Sequence, residues 1–91
     1  MHLLFKDNII GYINNIYQEQ CWIYGDFEGS DKYREYREFF KTIVCEEGFD
    51  ESDFDCELFV DTNWMVEDNG ALLGIFIPAI YDDGEISFRY R

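Results

Sequence analysis

From Thr42 to Phe88 the chain carries thirteen carboxylates and not one lysine or arginine. The remaining residues hold seven acids and seven bases, so the whole formal charge of −13 arises in that one stretch. A surface of one sign repels itself, and a cationic partner offsets that repulsion. Against the charge stand nine Phe, seven Tyr and two Trp within a 47% apolar composition. Aromatic side chains bury large areas each, so this content builds a core and excludes disorder. Ninety-one residues form one domain, 1–91.

The same numbers exclude several classes of partner. Nucleic acid and anionic membrane are polyanions and would be repelled. The longest run free of charge, Asn69 to Tyr81, contains two Gly and one Pro and is too short for a transmembrane helix. Leu3-Leu4-Phe5 is cut off by Lys6 and Asp7, so the N-terminus lacks a signal-peptide apolar region. Cys21, Cys45 and Cys56 show no C-x-x-C spacing, and reduced thiols in a cytoplasmic protein are the simplest reading.

Periodicity divides the chain into a helical first two-thirds and a strand-rich remainder. Ile9, Tyr12, Ile13, Ile16 and Tyr17 recur at three- and four-residue steps, which predicts an amphipathic helix over residues 7–18. Cys21 to Phe27 reads as extended or looped. Ser30 is a candidate N-cap for a second helix over residues 31–47, with Tyr33, Tyr36, Phe40, Ile43 and Val44 inward and Gly48 at its end. Residues 50–60 predict a short third helix capped by Ser52. Strands follow at 64–67, 72–81 and 85–90, joined by turns at Asp68-Asn69-Gly70 and Asp83-Gly84. In the last strand Ile86, Phe88 and Tyr90 alternate with Glu85, Ser87 and Arg89, which predicts one buried and one wet face. Pro78 must break the ladder of the second strand. The expected class is α+β: two or three helices packed on one face of a three-stranded antiparallel β-meander.

Three groups of residues could carry function. On a helix, Asp53, Glu57 and Asp61 would align at four-residue steps, and with Asp50, Glu51 and Asp55 they form a candidate docking surface for a basic protein partner. Trp22 and Tyr24 are candidate interface anchors beside it. The alternative is a solvated face that only keeps the protein soluble. Arg34, Arg37 and Lys41 share one face of the second helix; they either pair with nearby acids or form an anion site.

Catalysis and metal binding have little support. An EF-hand loop starting at Asp53 would place Leu58 where Gly is needed and Trp64 where a bidentate Glu is needed. The single His, at position 2, leaves no zinc set and no plausible Cys–His pair. Cys45 lies among Glu46 and Glu47, which disfavour a thiolate, and Cys21 and Cys56 read as small packing residues. No phosphate-binding glycine loop is present, and no cofactor is expected.

The segment Trp22-Ile-Tyr-Gly-Asp-Phe-Glu, followed by Tyr33, Tyr36, Arg37 and Phe40, loosely resembles small acidic bacterial proteins with a W-x-x-G-D-F loop before a helix, some of them similar to immunity proteins of toxin–immunity cassettes. The likeness covers residues 22–40 only, and Gly29-Ser30-Asp31 stands where such proteins often have P-T-P. It implies neutralisation of a partner and carries no site residues across. The leading expectation is a non-enzymatic binding protein, an immunity protein or inhibitor of a basic, nuclease-like partner, present as a monomer or weak homodimer. The alternative is a small-ligand-binding or regulatory module with an aromatic-lined pocket between sheet and helices.

Overall fold

The computed structural model describes residues 1–44 and 56–91. Its longest element is a strand where a helix was expected. β2 spans Asn8–Glu19, between β1 (His2–Phe5) and β3 (Trp22–Gly29), antiparallel to both. The apolar spacing that imitates a helix comes from two bulges. Pairing with β1 passes from Leu3↔Gly11 to Leu4↔Ile9, so Ile10 is an extra residue and the alternation slips by one. Ile10 and Ile13, three apart, therefore both point into the core. Pairing with β3 slips again between Asn14 and Tyr17, where Asn15 takes a left-handed φ of 53°. β-branched and aromatic residues with Gly11 and paired Asn favour this extended state over a helix.

A 3₁₀ turn, Asp31–Glu35, follows β3 and leads into α1, Arg37–Ile43. Among the described residues this is the one α-helix; of the expected helix over 31–47 the first residues form the 3₁₀ turn instead, and 45–47, like most of the expected helix over 50–60, lie outside the described residues. Two further 3₁₀ turns, Cys56–Phe59 and Asp61–Asn63, precede β4 (Trp64–Asp68). Then come β5 (Ala71–Gly74), β6 (Ala79–Ile80) and β7 (Glu85–Phe88). Among the described residues all pairings are antiparallel and form a single seven-stranded sheet in the order β5-β4-β1-β2-β3-β7-β6. The expected three-stranded meander carrying two or three helices is overturned. Its three strands occupy the two margins of a larger sheet whose centre is built from the N-terminal third.

The expected strand over 72–81 is one bent stretch of chain that serves both margins. Ala71 to Gly74 pairs with β4, while Ile75 bridges to Tyr90 and Ala79-Ile80 pairs with β7. The register slips by one residue across Ile77-Pro78, as the missing proline N–H requires. The sheet therefore wraps round on itself, and Arg91 ties the join. Its backbone N–H donates to Gly74 O at 3.0 Å, its Nε to Ile75 O at 2.8 Å and its Nη2 to Trp64 O at 3.1 Å.

The core lies inside this curve and is closed at one end by α1. Phe39 and Phe40 pack on Trp64, which is fully buried and donates its Nε1 to Leu58 O at 3.0 Å. Leu3, Ile10, Ile13, Val66, Ile75, Ile86 and Phe88 complete the interior. The expected alternation of β7 fails: Ser87 is buried along with its neighbours, and Tyr90 is exposed. Cys21 and Cys56 are exposed free thiols rather than packing residues. Among the described residues no helix is long and apolar enough to cross a membrane.

Candidate functional site

The end of β3 passes directly beneath the chain leading to α1. Ser30 N donates to Ile10 O at 3.0 Å and Ser30 Oγ to Ile9 O at 3.2 Å, which fixes the turn on β2. Tyr33 then lies so close over Gly29 that a β-carbon there would stand 2.8 Å from the ring's Cγ. Any larger residue would push Tyr33 away. Tyr33 is held on its other sides by Phe27, with ring centroids 4.9 Å apart, and by Phe40, stacked at 6.0 Å. It forms a fixed aromatic wall.

Opposite this wall stands the turn joining β6 to β7. Tyr81 N donates to Glu85 O at 2.9 Å and Gly84 N to Tyr81 O at 3.0 Å. Gly84 sits at φ +90°, which only glycine adopts without strain, and its carbonyl accepts from Phe27 N at 2.7 Å. The turn is thereby anchored to β3. Between wall and turn lies a cavity of 220 Å³. Phe27, Tyr33, Ile80 and Tyr81 supply its apolar lining, and Arg37 and Lys41 reach it from α1. Asp82 is the one carboxylate among the described lining residues.

Arg37 and Lys41 are one helical turn apart, so they present their charge to the same side. Among the described residues neither makes an ion pair. In a chain of net charge −13, two cations face one acid here among the described residues. Burial pushes the Tyr33 phenol above its usual range; Arg37 opposes that shift and Asp82 adds to it. Tyr33 therefore stays a neutral O–H group throughout the physiological range.

The other sequence candidates are scattered. Arg34 is exposed in the 3₁₀ turn and does not line the cavity. Glu57 pairs with Lys6. Asp61 turns inward instead of outward: its Oδ1 accepts from Ile77 N at 3.2 Å, satisfying the amide left unpaired where the ladder breaks at Pro78. Glu57 and Asp61 fall in separate 3₁₀ turns divided by extended Val60, so they do not form a stripe on one helix. Asp50, Glu51, Asp53 and Asp55 lie outside the described residues.

Trp22 is exposed with the Arg89 guanidinium 5.0 Å from its ring centroid, and the same guanidinium lies 5.1 Å from that of Phe76. Tyr24 is half-buried and stacked on Tyr17 at 5.2 Å. Beside that stack a hollow of 470 Å³ is lined by Asn15, Tyr17, Gly25, Asp26, Asp83 and Glu85. Among the described residues no three His, Cys, Asp or Glu converge as a metal-binding set.

The sequence identified Arg37 and Lys41 but missed Phe27, Tyr81 and Asp82. The Asp83-Gly84 turn was visible; its position beside the second helix depended on β7 pairing with β3, a long-range contact that no local pattern encodes. Comparisons with family models, curated proteins and solved structures find no match to this chain.

Proposed function

We propose that this protein is a non-catalytic ligand-binding or regulatory module, and that the cavity between α1 and the β6–β7 turn takes a small molecule. The observation that carries this reading is the pair Arg37 and Lys41, free of ion pairs among the described residues and set against the rigid Phe27–Tyr33 wall. Unpaired cations in a concave, part-aromatic setting leave attraction unspent, and a ligand can use it. Among the described lining residues there is no Ser, Cys or His.

A thermal-shift screen with neutral, cationic and anionic fragments tests the reading. A ligand present at a hundred times its Kd stabilises the native state by about 2.7 kcal/mol, a shift of many degrees for a domain this small. A screen in which no fragment raises the midpoint would remove the ligand-binding reading.

A second reading keeps one observation in its favour. Asp26, Asp83 and Glu85 gather beside the Tyr17–Tyr24 stack, which suits an immunity or inhibitor protein docking a basic partner. Glu85→Lys together with Asp26→Lys would then abolish capture of that partner and leave the fold intact.

A further inference from the structure

We infer that the ligand of the Arg37–Lys41 cavity is a free small molecule built from a single flat ring bearing one oxyanion, a carboxylate or a phosphate. The inference rests on the ligand-binding reading above and adds the chemical class. Three features of the site point to it.

The first is charge. Arg37 offers a planar fork suited to paired oxygen acceptors, and Lys41 offers a point charge one turn away, against Asp82 alone among the described lining residues. A cationic ligand would meet two like charges. A neutral ligand would leave both unanswered.

The second is shape. Tyr33 is pinned edge-on to Phe27 and stacked with Phe40, so it cannot swing aside to admit a bulky aliphatic group. Tyr33 covers Gly29, while Gly84 opposite brings backbone to the lining without side-chain bulk, which leaves room for a ring against the Tyr33 wall.

The third is volume. A cavity of about 150 Å³ admits one benzene. The 220 Å³ here has room for one ring and an anionic group. It falls below the roughly 300–1,000 Å³ of sites for drug-sized or larger ligands, too small to enclose a dinucleotide.

Isothermal titration with four probes tests the class: phenyl phosphate, benzoate, inorganic phosphate and phenol. Phenyl phosphate and benzoate should each bind about tenfold or more tighter than phosphate or phenol, because only they use both the cations and the wall. Arg37→Gln and Lys41→Gln should each weaken phenyl phosphate by about tenfold without altering phenol binding. Asp82→Asn should tighten phenyl phosphate severalfold, an effect of opposite sign that a misfolded variant cannot imitate. A phosphotyrosine pentapeptide should bind no tighter than phenyl phosphate, since Asp82 lines the cavity and the chain's net charge of −13 gives a longer anionic ligand nothing further to gain.

Phenol binding as tightly as phenyl phosphate would overturn the anionic class and leave the ligand-binding reading standing. Binding of phosphotyrosine peptide tenfold above phenyl phosphate would overturn the free-molecule assignment. Absence of binding by all four probes would overturn this inference, and a negative fragment screen as well would overturn both.

Discussion

Asp61 separates an acid that holds the fold from one that decorates the surface. Replacing it with alanine removes the carboxylate oxygen that accepts from Ile77 N at 3.2 Å and leaves that amide partly buried with its ladder partner already lost at Pro78. A hydrogen bond to a charged acceptor contributes about 1.5–3 kcal/mol net, and leaving an amide unsatisfied costs about 1–3 kcal/mol. The bond is long and only partly shielded, so a loss of about 2 kcal/mol is expected for Asp61→Ala. Equilibrium urea unfolding followed by tryptophan fluorescence reads this well, because buried Trp64 adjoins the same turn. With a slope near 1 kcal/mol/M the midpoint falls by about 2 M. Asp61→Asn keeps an acceptor oxygen and should recover at least half of the loss. An alanine variant within about 0.5 kcal/mol of wild type, the range of an ordinary surface substitution, would refute the reasoning.

Further outcomes follow from the same packing. Arg91→Met removes the guanidinium donors to Ile75 O and Trp64 O and should lower the melting midpoint by several degrees, read by calorimetry, while Lys6→Gln opposite Glu57 should change it by less than a degree or two. Phe40→Ala, at a fully buried position stacked on Tyr33, should cost about 3–5 kcal/mol in chemical denaturation and abolish ligand binding with it. Burial raises the phenols of Tyr33, Tyr36 and Tyr90 above the usual 10.0, so the folded state holds those protons longer than the unfolded chain. Their contribution is complete below pH 10.0 and is lost as pH rises through the folded values, so alkaline titration by phenolate absorbance should lag that of protein in denaturant.

The sequence was most legible where chemistry is local. Asp68-Asn69-Gly70 and Asp83-Gly84 form turns, with Asn69, Gly70 and Gly84 at positive φ, and the break at Pro78 falls where the missing N–H demands it. It was least legible where a local defect changes the period. The bulge at Ile10 and the slip after Asn14 convert two-residue alternation into three-residue spacing, and β2 then carries the apolar signature of a helix. Only its composition, rich in Ile, Tyr and Asn around Gly11, argued for a strand.

The candidate site divides along the same line. Arg37 and Lys41 stand out by helical spacing, as two of only seven bases. Their aromatic surroundings come from β3, the turn after β6 and the 3₁₀ turn at Tyr33, brought together by pairings up to sixty-five residues apart in sequence. Of the acidic docking surface, Asp50, Glu51, Asp53 and Asp55 lie outside the described residues. Glu57 and Asp61 have partners within the fold, Lys6 and the Ile77 amide.

Amide chemical-shift mapping of the wild-type protein titrated with phenyl phosphate addresses the central assignment most directly. Saturable shifts should concentrate at residues 27–41 and 80–84, around Arg37 and Lys41. Shifts centred on Asn15, Tyr17 and Asp26, or spread evenly over the sheet, would contradict it.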